Sequence, residues 1–312
     1  MDRQKVLIDT DIGDDIDDAL AIALGLRLEN VDIVGVTTVF RDTCARARIA
    51  RHLLSLAGRE DIPVYAGSQN GLVRRNDKSP LCQMTPEIDT PDWDAVNAAQ
   101  AQADDGESAV DYILDTAAKY GEDLIILGIG PLTNLAKAVQ KAPDVMNGVG
   151  KIVIMGGTYF EHHREWNILC DVEAAEVMYS RCEKLYCVGF DVTNLTTVSY
   201  MEHQEMMRMT GEPFRDYLAQ LITLWSRNVW HSPTLHDALA MYYIFDPSIV
   251  QMRQAKIVVA TEGEYTRGMT VNVDGFYEGR TGYRSEGKTH IAFSVDAVRM
   301  REVIMDRLFP CE

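Results

Sequence analysis

Six aspartates lie within residues 9–18, directly after the apolar run of residues 6–8. Carboxylates this close repel one another, and a buried charge without a partner is strongly destabilising. A folded loop of this kind therefore calls for a bound cation whose positive charge offsets the repulsion. Because carboxylate oxygens are the ligands that calcium prefers, the sequence predicts a calcium site in this loop.

The rest of the chain alternates short apolar runs with helical patterns. This alternation predicts an α/β fold in which an open, mainly parallel sheet with a Rossmann-like core is flanked by helices. With 312 residues and 46% hydrophobic content, the chain is predicted to form a single domain over residues 1–312. The predicted strands cover residues 5–8, 31–39, 123–127, 151–155, 185–190, 255–260 and 269–273. Helices are predicted at residues 18–28, 46–56, 108–119, 132–141, 172–180 and 295–308, with a mostly helical stretch at 201–243 and a long loop at 78–105.

The overall charge limits the class of partner. A formal net charge of -17 disfavours nucleic acid, whose binding needs lysine and arginine to neutralise phosphates. No apolar run reaches the length of a membrane span, and no signal region precedes the first predicted strand. The six cysteines lack zinc-like spacing, so we interpret them as reduced thiols. We expect a cytoplasmic protein that binds a small molecule rather than nucleic acid or membrane.

Four predicted strands end in loops that are rich in polar residues or glycine. The aspartate loop follows the first strand, residues 37–42 close the second, and residues 128–134 and 156–157 follow the next two. Ligands of open α/β sheets bind beyond the carboxyl ends of the strands. We therefore expect these four loops to meet at one rim, with the cation among them.

Seven segments carry a resemblance to a known family. Between about residue 5 and residue 300 the chain resembles the inosine-uridine preferring nucleoside hydrolase family. The segments are Asp-Thr-Asp at 9–11, Asp-Asp-Ala-Leu-Ala at 17–21, Gly-Pro-Leu-Thr-Asn at 130–134, Met-Gly-Gly at 155–157, Glu-Trp-Asn at 165–167, His-Asp-Ala-Leu at 236–239 and Tyr-Thr-Arg-Gly-Met-Thr-Val at 265–271.

The resemblance implies a calcium-dependent N-ribohydrolase, which splits a ribonucleoside into base and ribose. One calcium ion would hold the ribose 2′ and 3′ hydroxyls together with the attacking water. Its ligands would be Asp11, Asp18, Asp237 and the main-chain carbonyl of Ile129. The resemblance also suggests a homodimer or homotetramer that works in nucleoside salvage.

Two residues are implied in proton transfer. Asp11 would be the general base that takes a proton from the attacking water. Attack by water without a covalent intermediate predicts inversion at the anomeric carbon. His236 would contact the substrate and protonate the leaving base, because an imidazole can donate near neutral pH.

The remaining implied contacts are to the sugar. Glu165 and Asp17 would stabilise positive charge on the ribose ring, and Asn167 would join Glu165 in binding its hydroxyls. Asp42 stands where the family often has asparagine, so it is expected beside a sugar hydroxyl or the metal.

Three departures from the family pattern leave assignments open. Five residues separate Asp11 from Asp17, more than in the commonest family form, so Asp15 could replace Asp17 or Asp18. The segment before Glu165 lacks an asparagine for a sugar 5′-hydroxyl, and His162 or His163 could substitute. The family's base-pocket histidine is missing from residues 78–105. The aromatic candidates for the base pocket are Trp93, Trp225, Trp230, His231 and Tyr242.

Two other functions compete with this interpretation. Asp-Thr-Asp after a buried strand also resembles the first motif of haloacid dehalogenase-type phosphatases, but that reading leaves His236 and Asp237 unexplained. The other alternative is a non-catalytic member of the hydrolase family that only binds nucleosides or sugars. Loss of Asp11 or Asp237 would mark such a protein, and both are present.

Overall fold

The computed structural model describes residues 3–73, 81–85, 106–274 and 287–310. Within these residues the main sheet has eight strands in the order β3-β2-β1-β4-β5-β6-β10-β7, and only the pairing of β7 with β10 is antiparallel. The two strands β8 and β9 form a second, antiparallel sheet. The strands are β1 Gln4–Thr10, β2 Val31–Thr38, β3 Val64–Ala66, β4 Leu124–Gly128, β5 Lys151–Met155, β6 Leu185–Val188, β7 Val250–Ala255, β8 Ile257–Val259, β9 Thr270–Asn272 and β10 Thr289–Val295.

Helices connect the parallel strands, as parallel pairing requires. The helices are α1 Asp17–Arg27, α2 Thr43–Leu56, α3 Glu107–Tyr120, α4 Thr133–Lys141, α5 Pro143–Asn147, α6 Trp166–Cys170, α7 Val172–Arg181, α8 Phe190–Thr193, α9 Tyr200–Met206, α10 Pro213–Ser226, α11 His236–Phe245 and α12 Ala297–Leu308. Short 3₁₀ turns occupy Gly121–Asp123, Asn194–Thr196 and Pro247–Ile249. No described helix is both long and apolar enough to cross a bilayer.

Apolar cores cover both faces of the sheet. Successive strand residues point to opposite faces, so Val6 and Ile8 of β1 join one core while Leu7 joins the other. Helices α1, α2, α10, α11 and α12 pack on the first face, and α3, α4 and α7 pack on the second. Helix α11 is buried along almost its whole length and packs directly against α1. This contact brings the first turns of two helices together.

The strand register aligns the loops that were expected to meet. Asp9, near the end of β1, pairs with Thr37 of β2 on one side and with Gly128 of β4 on the other. Strands β4 and β5 then pair in parallel up to Gly128 and Ile154. The loops after β1, β2, β4 and β5 therefore leave the sheet at one edge, which we call the carboxyl edge.

The predicted fold class is confirmed, with errors in particular strands. The run predicted at residues 185–190 ends early because Phe190 begins helix α8. The strand predicted at 255–260 is divided, since Ala255 ends β7 and Ile257 begins β8. Strands β3 and β10 and most of β7 were not predicted at all. Of the expected loop at 78–105, only residues 81–85 are among those described.

Candidate active site

A cavity of about 640 Å³ opens at the carboxyl edge of the sheet. It collects all but one of the residues for which the sequence predicted a metal, catalytic or sugar contact. Those lining it are Asp11, Asp15, Asp17, Asp18, Ile129, Glu165, Asn167, His236 and Asp237. Asp42 does not line the cavity: its carboxylate accepts a hydrogen bond from the main-chain nitrogen of Ala45 at 2.9 Å and caps helix α2.

Three carboxylates form the floor of this cavity. Asp17 and Asp18 lie in the first turn of α1, and Asp237 lies in the first turn of α11. Each offers an oxygen, and these oxygens all lie within 4.8 Å of one another although the side chains are buried. Positive partial charge at a helix N-terminus favours carboxylates, and here two such termini face one another. The Thr10 hydroxyl donates to Asp18 and fixes one of the three.

The electrostatics of the floor fit a bound cation. Burial, together with the neighbouring carboxylates, raises the pKa of Asp17, Asp18 and Asp237 well above the usual value. Burial likewise raises the pKa of Asp11 to about 7. Asp237 Oδ1 is buried and has no hydrogen-bond partner among the described residues. An all-oxygen donor set with an unpartnered buried oxygen suits a hard metal ion.

The loop after β4 brings two further groups to the cavity. The main-chain carbonyl of Ile129 accepts a hydrogen bond from the side-chain amide of Asn167 at 3.2 Å. Gly130 follows, and a Cβ atom at that position would lie only 2.8 Å from Asp11 Oδ1. The absence of a side chain at residue 130 therefore allows Asp11 to pack against this loop.

Glu165 caps helix α6 and is held in place by main-chain donors. Its carboxylate accepts hydrogen bonds from the main-chain nitrogens of Asn167 at 2.9 Å, Ile168 at 3.1 Å and Gly157 at 3.1 Å. Burial raises the pKa of this carboxyl, and these three donors oppose the rise. Glu165 thus presents a fixed carboxylate to the cavity and joins the loop after β5 to α6.

His236 lies at the wall of the cavity beside the floor. Its Nδ1 is 2.6 Å from the hydroxyl oxygen of Thr193, and its ring stacks on Phe190 with centroids 5.7 Å apart. Burial lowers the pKa of His236 to about 4. At neutral pH the imidazole is therefore uncharged in the metal-free protein.

The candidate base-pocket residues divide into two groups. Trp225 lines the cavity, and the exposed His163 also lines it. His162, Trp230, His231 and Tyr242 are not in the lining; Trp230 is fully exposed and Tyr242 is buried. Trp93 lies outside the described residues.

The sequence reasoning missed Arg46, a fully buried arginine beneath the aspartate loop. Its guanidinium donates to the main-chain carbonyls of Asp11, Ile12 and Phe40 and to the carboxylate of Asp14 at 2.8 Å. Arg46 therefore places a positive charge next to the carboxylates and ties the loop after β1 to the loop after β2.

A signal for this arginine is present in the sequence. Residues Ile49, Ala50 and Leu53 are three, four and seven positions after Arg46 and form the buried stripe of helix α2. A charged residue within such a stripe must be paired inside the protein, because an unpaired buried charge is strongly destabilising. The nearest excess of negative charge in the sequence is the aspartate loop.

Asp14, one of the residues added to the loop relative to the family pattern, is a partner of arginines. Its carboxylate lies 2.8 Å from Arg46 and 3.3 Å from Arg41. Residues 81–85 cover the same loop, with the main-chain nitrogen of Gln83 donating to the Gly13 carbonyl at 3.1 Å. Cys82 donates its thiol hydrogen to the Asp14 carbonyl, with sulfur and oxygen 2.8 Å apart. The longer loop is thus packed from two sides.

Comparison with known proteins gives a consistent result. The family model "Inosine-uridine preferring nucleoside hydrolase" matches residues 6–302. The chain is 30% identical to probable uridine nucleosidase 2 of Arabidopsis thaliana over 324 residues, which cover 98% of each protein. The plant nucleoside hydrolase PpNRh1 has a similar structure, with a TM-score of 0.80, 26% identity and 99% of each chain covered. A purine-preferring ribonucleoside hydrolase from Gardnerella vaginalis gives a TM-score of 0.76 and 26% identity over 97% of this chain and 98% of its own.

Proposed function

The chain belongs to the inosine-uridine preferring nucleoside hydrolase family and hydrolyses the N-glycosidic bond of ribonucleosides, and on this premise we propose how its residues carry out the reaction. The proposal rests on one observation: a single cavity is lined by four aspartates and by the residue whose carbonyl was predicted to bind the metal. These residues are Asp11, Asp17, Asp18, Asp237 and Ile129. The family match leaves no support for the dehalogenase reading.

We propose that the metal is calcium, held by Asp11, Asp18, Asp237 and the carbonyl of Ile129. The proximity of Asp17 to Asp18 and Asp237 adds Asp17 to the candidate ligands. When bound, the ion supplies the positive charge that orients the ribose hydroxyls and the attacking water and lowers the pKa of that water. The hard oxygen donors and the unpartnered Asp237 Oδ1 support this choice.

Asp11 acts as the general base in this proposal. It lies at the cavity wall, where Gly130 lets its carboxylate approach the loop after β4. Asp11 takes a proton from the water as the water attacks the anomeric carbon, and the electrons of the glycosidic bond leave with the base. Because no covalent intermediate forms, the sugar product has inverted configuration.

The sugar is bound by groups that also stabilise the transition state. Positive charge develops on the ribose ring, and the fixed carboxylates of Glu165 and Asp17 offset it. The amide nitrogen of Asn167 already donates to the carbonyls of Ile129 and Met155, both at 3.2 Å. Its amide oxygen is therefore the atom that would accept a hydrogen bond from a ribose hydroxyl.

His236 assists departure of the base as a hydrogen-bond donor. When the Thr193 hydroxyl donates to Nδ1, the ring proton lies on Nε2, which is the nitrogen left to face the substrate. The lowered pKa of His236 favours a neutral imidazole over a charged one in the resting protein. The neutral ring therefore donates a hydrogen bond to the leaving base, rather than transferring a proton from a charged imidazolium.

The experiment that tests this function is release of reducing sugar from purine and pyrimidine ribonucleosides, measured with calcium and after chelation. We expect ribose release that stops when calcium is removed and returns when it is restored. The panel needs both base classes, because the relatives named above include a uridine nucleosidase and a purine-preferring hydrolase. Nucleoside binding without ribose release would favour the non-catalytic alternative.

Several broader expectations remain proposals. These are the single domain over residues 1–312, the homodimeric or homotetrameric state, the cytoplasmic location and the role in nucleoside salvage. The absence of nucleic-acid and membrane partners is likewise an expectation from charge and hydropathy.

A further inference from the structure

The second sheet, formed by strands β8 and β9, contributes no residue to the lining of the active-site cavity. Strand β9 begins inside residues 265–271, one of the seven segments that carry the family resemblance. The reaction proposed above uses no residue of that segment. Any part that the second sheet plays in the reaction must therefore act through its contacts with residues that do line the cavity.

Thr270, the first residue of β9, contacts the loop after β5. The main-chain nitrogen of Thr158 donates to the Thr270 hydroxyl oxygen at 2.9 Å, and the same hydroxyl donates its hydrogen to the Thr158 carbonyl oxygen at 2.6 Å. A hydroxyl can do both because it is a donor and an acceptor. Thr158 is 1% exposed and Thr270 is 5% exposed, so water does not replace either bond. One side chain thus fixes both main-chain polar groups of Thr158.

Thr158 in turn holds the loop that carries Glu165. The Thr158 hydroxyl donates to the main-chain carbonyl of His163 at 2.6 Å, and the main-chain nitrogen of Gly157 donates to the Glu165 carboxylate at 3.1 Å. These two bonds close the loop at its base. His163 and Glu165 both line the cavity, so the position of Thr158 is linked directly to the cavity wall.

The placement of the Glu165 carboxylate matters for the proposed chemistry. A charged group stabilises a transition state most when it is already fixed where the opposite charge develops. Two of the three main-chain donors to Glu165 belong to helix α6, and the third is Gly157. The Gly157 bond is the one that sets the carboxylate relative to the end of β5, and it lies next to the residue that Thr270 fixes.

The turn that precedes β9 packs on the helices independently of the Thr270 hydroxyl. Arg267 donates to the Glu173 carboxylate of α7 at 2.7 Å. Gly268 has φ 89°, and a Cβ atom there would lie 3.1 Å from Leu169 Cδ1 of α6, so the turn packs closely on this helix. Loss of the hydroxyl at residue 270 should therefore leave the second sheet in place.

We propose that Thr270 is a positioning residue for the ribose-binding loop. It fixes Thr158, and through Thr158 it holds the Glu165 carboxylate where that group offsets the positive charge on the ribose ring. Thr270 does not itself contact the substrate. This inference rests on the proposed function, and it gives the second sheet a part in the reaction.

The variant Thr270→Val tests the proposal, because it removes the hydroxyl and keeps the shape of the side chain. Both main-chain groups of Thr158 lose their partner, and kcat should fall about tenfold with a smaller change in KM, since the affected charge develops in the transition state. The loss should be smaller than that of Glu165→Gln, because α6 still donates to Glu165. Steady-state ribose release measures both constants.

Two further variants control for the substitution itself. Thr270→Ser keeps the hydroxyl and should restore most of kcat. Thr266→Val removes a hydroxyl that donates to the Glu262 carbonyl at 2.9 Å, just before the same strand and away from Thr158. It should leave kcat and KM at the wild-type values.

A double-mutant cycle separates positioning from a general loss of stability. If Thr270 acts through the Glu165 carboxylate, Thr270→Val should reduce kcat much less in the Glu165→Gln background than in the wild type. The cycle is measured at a temperature well below the melting temperature of every variant. Equal fold losses in both backgrounds would overturn the proposal and make Thr270 a purely structural residue.

Wild-type kcat and KM in Thr270→Val would also overturn the proposal. If that variant does not fold, Thr158→Val provides the test without altering β9, because it removes only the bond to the His163 carbonyl. It should lower kcat by a smaller factor, and unchanged kinetics there would count against the proposal. A wild-type enzyme that releases no ribose from any nucleoside would instead defeat the proposed function, so the two failures are distinguishable.

Discussion

Two cavities of similar size lie at opposite edges of the sheet, and they differ in how deeply the charged side chains that line them are buried. The cavity at the carboxyl edge measures about 640 Å³, and one at the amino edge, around the starts of β1 and β5, measures about 670 Å³. The amino-edge cavity mixes both signs of charge: Arg3, Lys5 and Lys151 line it together with Glu122 and Asp123. The carboxyl-edge cavity also has two lining arginines, Arg41 and Arg164, but its floor is formed by buried aspartates.

This contrast indicates that buried charges of one sign identify the candidate functional site better than the number of charged residues does. At the amino edge, Lys5 forms an ion pair with Asp32 at 2.6 Å, and the Glu122 side chain is 87% exposed. Water and local partners satisfy such groups at little cost. At the carboxyl edge, Asp17, Asp18 and Asp237 are buried close together, and burial and the neighbouring carboxylates raise the pKa of each well above its usual value.

The largest expected difference between the two edges is catalytic. Asp11→Asn removes the proposed base, and kcat should fall by about 10²–10⁴, the range typical of general base catalysis. Asp123→Asn, at the amino edge, is the matched control and should leave kcat unchanged. Steady-state ribose release measures both. Near-normal kcat for Asp11→Asn would remove Asp11 from the mechanism.

The next difference is in stability. Arg46→Met keeps most of the side-chain volume but leaves three carbonyls without their donor and removes one of the two arginine partners of Asp14, so the free energy of unfolding should fall by ~3–5 kcal/mol. Lys5→Met breaks an ion pair at the amino edge and should cost less than about 1 kcal/mol. Urea denaturation of both variants measures the comparison. Equal effects would show that burial of the guanidinium does not matter here.

The free energy of unfolding should also depend on pH, because buried carboxyls at the carboxyl edge have raised pKa values. Asp9, which is buried and accepts hydrogen bonds from Thr37 at 2.6 Å and Asn134 at 2.8 Å, has its pKa raised by burial to about 7, as does Asp11. The folded metal-free protein therefore holds protons that the unfolded chain has already lost. Its free energy of unfolding should fall as pH rises towards 7, by up to about 1.4 kcal/mol per pH unit for each group, and should level off between pH 7 and 8 once these carboxyls have ionised.

Calcium should reverse this trend. Protons compete with the cation for the same carboxylates, so the rise in melting temperature on adding calcium should be larger at pH 8 than at pH 6.5. His236 opposes the fall only below about pH 6.5, because its lowered pKa makes stability rise with pH there. Thermal melts with calcium and with chelator measure the difference. A calcium effect of equal size at both pH values would argue against carboxylate ligands.

The smallest expected effect concerns Asp42. Asp42→Ala removes a helix cap and should lower the free energy of unfolding by about 0.5–2 kcal/mol, while Asp42→Asn keeps the capping oxygen and should cost less. Thermal or chemical unfolding of the pair measures it. A raised KM with unchanged stability in Asp42→Ala would restore Asp42 as the sugar contact that the family resemblance implied.

The sequence predicts the carboxyl edge better than it predicts the sheet margins. Strands β1, β2, β4 and β5 are buried on both faces and give continuous apolar runs, which are easy to recognise. Strand β3 has only three residues, and β7 is a margin strand whose middle residues Gln251 to Gln254 are polar or only partly buried. Neither gives a periodic pattern long enough to identify.

The candidate site likewise contains residues that a local sequence pattern identifies and residues that it does not. Clustered aspartates predict a cation, which makes Asp11 and Asp18 accessible as candidate ligands from the sequence, whereas Asp237 entered only through the family resemblance. The contributions of Arg41 and Arg46 depend on which loop packs on which, and their partners lie about thirty residues away in the chain. Asp42 shows the reverse limit, because the family resemblance implied a sugar or metal contact, whereas in the structure its carboxylate accepts a hydrogen bond from the main-chain nitrogen of Ala45.

The positive charge of Arg46 is part of the polypeptide itself, whereas a metal ion has to bind from solution. It bonds the main chain of the aspartate loop directly, so the shape of the cleft is specified by the polypeptide before any ion arrives. When an ion binds in a preformed cleft, ordering of the chain subtracts little from its binding free energy. We therefore expect the protein to fold first and to bind the ion afterwards, so that the ion can exchange with solution while the fold stays intact.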